Sequence, residues 1–144
     1  MNKFRLIKVL TLAFTVVILS ACNKTEEVID QLTGATELLG IWTGSGYYWD
    51  GTYSDLYDVL PTTYEYKVDG TGGINMSGIG TQPFTWTHDV ATGKLTITKE
   101  AVDYGGGVTS PADTIDAVIT KLDATNLWYT YQESGSTVEE RFIK

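Results

Sequence analysis

From Glu37 onward the chain alternates apolar and polar residues with a period of two, and no segment keeps a helical period for three turns. Alternation of this kind places every second side chain on one face of a pleated strand, so one face is core and the other is solvent. Thr, Tyr, Val, Ile and Trp dominate these runs, the residues that fit a half-buried pleated surface. Eight strands are expected: Leu39–Tyr48, Thr62–Val68, Gly73–Ser77, Pro83–Thr87, Lys94–Thr98, Thr114–Leu122, Asn126–Gln132 and Thr137–Ile143. The second shows the pattern plainly, with Tyr64, Tyr66 and Val68 alternating with Glu65, Lys67 and Asp69.

The connections decide among all-β architectures. Asp69-Gly70-Thr71-Gly72, His88–Gly93 and Asp123-Ala124-Thr125 are short turns, with Gly or Asp where a positive φ or a side-chain bond to the backbone is needed. The links Trp49–Pro61 and Lys99–Asp113 are much longer, the second carrying Gly105-Gly106-Gly107 as a flexible loop; Gly78–Gln82 and Glu133–Ser136 are intermediate. In an up-and-down meander alternate links fall at the same end, so the tight links gather at one end and the longer ones at the other. That asymmetry predicts a closed eight-stranded antiparallel barrel with a tight base and a loop-lined mouth. An immunoglobulin-like sandwich is disfavoured, because the Cys…Trp…Cys pattern is absent and tight hairpins dominate.

Ahead of the strands, Met1–Lys8 is positively charged and Val9–Leu19 is an apolar run of 11 residues, too short for a comfortable membrane span. The run closes on Leu19-Ser20-Ala21-Cys22, which resembles the bacterial lipobox. The resemblance implies that residues 1–21 are a lipoprotein signal peptide and that Cys22 becomes an acylated N-terminus, held in a membrane by acyl chains such as palmitate. Residues 22–36 then read as an acylated start and flexible tether; Asn23–Thr36, fully extended, reaches at most about 50 Å. Asn23 stands where an Asp would mark inner-membrane retention in many bacteria, so the expected place is the outer membrane, on its periplasmic or surface-exposed face.

Residues 37–144 form the barrel domain, and here a second resemblance enters. Leu39-Gly40-Ile41-Trp42-Thr43, Tyr64–Gly72, Phe84-Thr85-Trp86 with Lys94-Leu95-Thr96-Ile97, and Ile119–Leu122 with Asn126-Leu127 resemble the bacterial lipocalin-like lipoproteins, of the wider calycin group. That group pairs a Trp early in the first strand with an Arg late in the last, and the resemblance implies that Trp42 and Arg141 meet and close the barrel at its base. The disulfide and C-terminal helix of eukaryotic lipocalins are absent.

Little in the sequence points to catalysis. The chain holds one cysteine and one histidine, which removes disulfide frameworks, Cys/His zinc sites and Cys/His nucleophile pairs together. His88 sits beside Asp89 in a tight turn and reads as an exposed turn residue. Asp50, Asp55 and Asp58 crowd the first long link in no EF-hand spacing and read as an acidic lid. No cofactor or metal is expected, and a carboxylate pair of glycosidase type would need a cleft that the sequence does not define. Once Lys3, Arg5 and Lys8 are set aside with the signal, seven basic residues face eighteen acidic ones, a balance that opposes nucleic-acid binding.

Two readings of function remain. In the first, a monomeric, non-catalytic, membrane-anchored barrel binds a small apolar or aromatic ligand. If Trp42 points inward, alternation turns Gly44, Gly46 and Tyr48 inward with it, along with Tyr64, Tyr66, Phe84, Trp86, Tyr129 and Tyr131, while Trp49, Tyr53 and Tyr57 form a lid over the mouth. The two glycines would leave room inside. In the second, the barrel is a protein-interaction module, such as a hydrolase inhibitor or an accessory subunit of a surface uptake complex.

Overall fold

A computed structural model describes residues 36–144, so the expected signal peptide, Cys22 and the expected tether up to residue 35 lie outside the described residues. The strands are β1 (Gly40–Trp49), β2 (Thr52–Ser54), β3 (Thr62–Tyr66), β4 (Thr71–Met76), β5 (Gly80–Asp89), β6 (Lys94–Lys99), β7 (Val102–Gly105), β8 (Val108–Ser110), β9 (Asp113–Leu122), β10 (Asn126–Glu133) and β11 (Ser136–Ile143). A four-residue helix, α1 (Leu56–Val59), lies between β2 and β3. Eight strands pair antiparallel in the order β1-β3-β4-β5-β6-β9-β10-β11, and β11 pairs back onto β1, closing the barrel. β2 is a ninth strand, hydrogen-bonded to the upper part of β1 beyond the reach of β3. This closed all-β meander is compatible with a calycin-like fold.

The base is made by the turns β3–β4, β5–β6 and β9–β10, and both long links lie at the opposite end. The other two links at the mouth are tighter than expected. Ser77–Ile79 joins β4 to β5, and Ser134-Gly135 alone joins β10 to β11 with φ of 51° and 87°, values that fit a two-residue primed turn. The second long link folds into the β7–β8 hairpin, and Gly105, Gly106 and Gly107 form its turn with φ of 83°, 62° and 84°. Three successive left-handed residues suit glycine, so a run read as flexible makes a defined reversal.

The core runs the length of the barrel and is drawn from Leu38 to Phe142, with Trp42, Tyr66, Phe84, Leu95, Ile97, Leu127, Tyr129 and Phe142 almost fully buried. Because these side chains and a closed sheet lie within Gly34–Lys144, that unit carries its own core. At the base, Tyr66 meets Phe84 and Trp86 edge-on, with ring centroids 5.3 and 5.6 Å away. Gly72 makes this possible: a Cβ there would stand 2.3 Å from both the Glu65 carbonyl and the Phe84 ring. At the mouth, buried Gln82 donates from Nε2 to the carbonyls of Glu100 and Pro111 at 2.8 and 3.1 Å, tying both ends of the second long link to β5.

One irregularity changes the inner face. The pairing of β1 with β11 slips between Gly44 and Gly46, so Ser45 is an extra residue, and a bulge of this kind reverses the alternation beyond it. Trp42 and Gly44 point inward as expected. Past the bulge, Tyr47 turns inward and Gly46 and Tyr48 turn out, where Tyr48 stacks against Arg141.

Candidate functional site

Glu140 is the buried carboxylate of the barrel interior, 3% exposed, between the inward side chains Val138 and Phe142 on β11. Its neighbours across the strands are Tyr47 on β1 and Tyr129 on β10. Three phenols donate to it: Tyr57 and, at 3.3 Å, Tyr129 to Oε2, and Tyr131 to Oε1 at 2.8 Å. Burial pushes its carboxyl above the ordinary range, against the opposing pull of these hydroxyls and of Lys99. Burial and the Glu140 charge together push the phenols of Tyr57, Tyr64, Tyr129 and Tyr131 upward, so they stay protonated and act as donors.

Around this carboxylate the rings of Tyr57, Tyr64 and Tyr129 gather on Phe142, at centroid distances of 5.6, 4.8 and 5.5 Å. Tyr57 arrives from α1, whose other residues are exposed. Its ring lies on the bare backbone of Gly44, where a Cβ would stand 2.7 Å from the ring. The space that Gly44 was expected to leave open is therefore filled by Tyr57, and Gly46 leaves none inside because it faces out.

Beside this cluster a half-open cleft of about 550 Å³ is cut into the rim, lined by Lys99, Pro111, Asp113, Ile115, Tyr131 and Glu133 among others. Two of these residues, Lys99 and Asp113, are partners on the adjacent strands β6 and β9 and form an ion pair at 3.0 Å. Tyr131 belongs both to the wall of the cleft and to the hydrogen bonds of Glu140, so the two are contiguous.

The residues expected to bind ligand separate into three groups. Tyr64, Tyr66, Trp86 and Tyr129 are buried in the core. Of these, Tyr66 and Trp86 belong to the base, where the Trp86 indole donates to the Thr71 carbonyl at 3.1 Å. Tyr57 and Tyr131 are half-buried and converge on Glu140. Tyr48 and Tyr53 are on the outside, 5.6 Å apart, and Trp49 ends β1 with 38% of its surface exposed. The lid thus contributes one side chain to the interior. Tyr53 instead donates to Asp58, and Asp50 accepts from the Thr137 amide at 2.8 Å. Among the described residues no three acidic or His side chains converge as a metal site. His88 lies in β5 opposite Leu95, half-buried, rather than in a turn.

Trp42 and Arg141 do not meet. Arg141 falls between inward Glu140 and Phe142, so it points outward, its guanidinium 4.3 Å from the ring centroids of both Tyr48 and Trp128. The cation on Trp42 is Lys144, whose Nζ lies 4.1 Å from the indole.

Glu140 and Tyr47 escaped the sequence reading. The first had a signal: Val138, Glu140 and Phe142 are three alternate positions, and their period puts a carboxylate on the apolar face. Tyr47 depended on the bulge at Ser45, which no periodicity announces. Comparison with family models, curated proteins and solved structures finds no match to this chain.

Proposed function

We propose that this chain is a membrane-anchored, lipocalin-like binding protein that takes a small ligand at the open end of its barrel and performs no chemistry on it. The observation that supports this reading best is the rim cleft of about 550 Å³ that runs against the Tyr131–Glu140 contact, a size within the usual span of small-molecule sites. A buried carboxylate costs stability that an apolar side chain of similar size would not, so its cage of phenols suits recognition better than packing. The anchor at Cys22 and the outer-membrane location rest on the sequence signals.

Titration of Nile red, an uncharged apolar dye, into the Gly34–Lys144 unit tests the reading. One saturable site is expected, weakened by Tyr131→Ala; absence of saturable binding overturns it. The protein-interaction reading is favoured by one feature, the β7–β8 hairpin. It is a separate two-stranded sheet, and Val108 is 48% exposed. Crosslinking on host cells that is lost when Gly105–Val108 is trimmed, with dye binding absent, would support that reading instead.

A further inference from the structure

Among the described residues the interior carboxylate has hydrogen bonds but no counter-ion. Each Lys and Arg among the described residues is engaged elsewhere: Lys67, Lys94, Lys99, Lys121 and Arg141 pair with Glu65, Asp116, Asp113, Asp123 and Glu139, and Lys144 donates to the carbonyls of Glu37 and Leu39. Lys99 acts on Glu140 electrostatically from the rim, but its ammonium is held by Asp113. The interior therefore presents a carboxylate, three phenol oxygens and several aromatic faces. All of these attract a cation, and the faces do so through the ring quadrupole. An anionic ligand would meet Glu140 and a chain of formal charge −8.

Tyr57 reaches Glu140 from the first long link, at the mouth of the barrel. It comes from a four-residue helix whose N-cap side chain makes no capping bond and whose remaining residues are exposed. Its hold on the barrel is the Gly44 seat, the edge-on contact with Tyr47 at 6.0 Å, the Phe142 ring and the bond to Glu140. An ammonium group bound at Glu140 replaces that neutral donor with a full positive charge, and its hydrocarbon body takes the place of the phenol ring on Gly44.

We propose that the barrel binds a small molecule carrying a protonated amine on an aromatic or short apolar body, with Glu140 as counter-ion and Tyr57 as the plug that the ligand displaces. The proposal rests on the binding function above and names its ligand class. Tyr57 is a positioning residue in it: the plug sets affinity, and Glu140 sets the choice of charge.

Three probes of one shape, phenethylamine, 2-phenylethanol and 3-phenylpropionate, titrated calorimetrically into the Gly34–Lys144 unit, decide the matter. The amine is expected to bind about tenfold or more tightly than the alcohol, the scale of one desolvated charge pair, and the acid not measurably. Tyr57→Ala should tighten amine binding while keeping the preference, whereas Gly44→Ala, whose methyl fills the seat that phenol and ligand share, should weaken it. Glu140→Gln should erase the preference and leave the alcohol affinity as it was. Equal binding of amine and alcohol by the wild type and Tyr57→Ala overturns the amine proposal and leaves a binding barrel standing. That comparison needs no Glu140 variant, so it holds even where Glu140→Gln fails to fold. Absence of binding by all three probes, in both the wild type and Tyr57→Ala, overturns the amine proposal; the Nile red titration decides the binding function separately.

Discussion

Lys144 holds its ammonium 4.1 Å from the Trp42 ring centroid and donates to the carbonyls of Leu39 and Glu37 at 2.7 and 3.2 Å. The last strand is thereby fastened to the chain entering the first, while Trp42 donates from its indole to the Leu38 carbonyl at 2.7 Å. The closing cation lies three residues beyond Arg141, on a side chain whose position lets it fold under the base.

A double-mutant cycle should register this contact. Trp42→Phe with Lys144→Met is expected to show a coupling of about 0.5–2 kcal/mol in urea unfolding. Trp42→Phe with Arg141→Met should be additive within error, because Arg141 stacks on Tyr48 and Trp128 outside the barrel. Coupling to Arg141 instead of Lys144 would contradict the structure.

Stability should respond to pH in opposite senses at two carboxylates. Burial raises the Glu140 carboxyl above its ordinary 4.5. As pH rises from 4.5 through that raised value, the unfolded chain has lost a proton that the folded chain keeps, so stability falls. Glu140→Gln should flatten the profile over that window. Asp123 accepts bonds from the Asn126 side chain and from the Thr125 and Asn126 amides, which hold it well below its ordinary 3.8. Its contribution is present above 3.8 and disappears as pH falls, so Asp123→Asn should flatten the acid limb. Urea midpoints measured across pH would refute the Glu140 assignment if wild type and Glu140→Gln ran parallel above 4.5.

Two glycines should differ sharply on substitution. Gly72→Ala drives a methyl into the Glu65 carbonyl and the Phe84 ring at 2.3 Å, and about 1–3 kcal/mol or more of overpacking is expected. Gly51→Ala meets nothing within 4 Å and bears only the strain of φ +78°, about 1 kcal/mol. Chemical denaturation that ranks Gly51→Ala as the more damaging change would count against the packing at the base.

The proposed lipid anchor has a direct assay. Metabolic labelling with an alkyne fatty acid should mark the wild-type chain and leave Cys22→Ser unmarked, following the charged start, the apolar run and Leu-Ser-Ala-Cys. Equal labelling of both would remove Cys22 as the acylation site.

Period-two alternation and the spacing of Asp-Gly and Thr-Gly turns were enough to specify eight antiparallel strands in a meander, because each strand must bury one face and each short turn admits few backbones. The inward places of Trp42, Tyr64, Tyr66, Phe84, Trp86, Tyr129 and Tyr131 followed from the same rule. Glu140 was legible by that rule too, as the carboxylate between Val138 and Phe142. Only the tertiary structure decided which aromatics share a site. The bulge at Ser45 reverses the face of Tyr47 and Tyr48, and it arises from the register between β1 and β11, strands about a hundred residues apart in the chain. The same long-range pairing sets Lys144 under Trp42 and sends Arg141 outside. Tyr57 reaches Glu140 across 83 residues of sequence because Gly44 offers its ring a bare backbone to lie on, a fit that depends on atoms brought together only when the barrel closes.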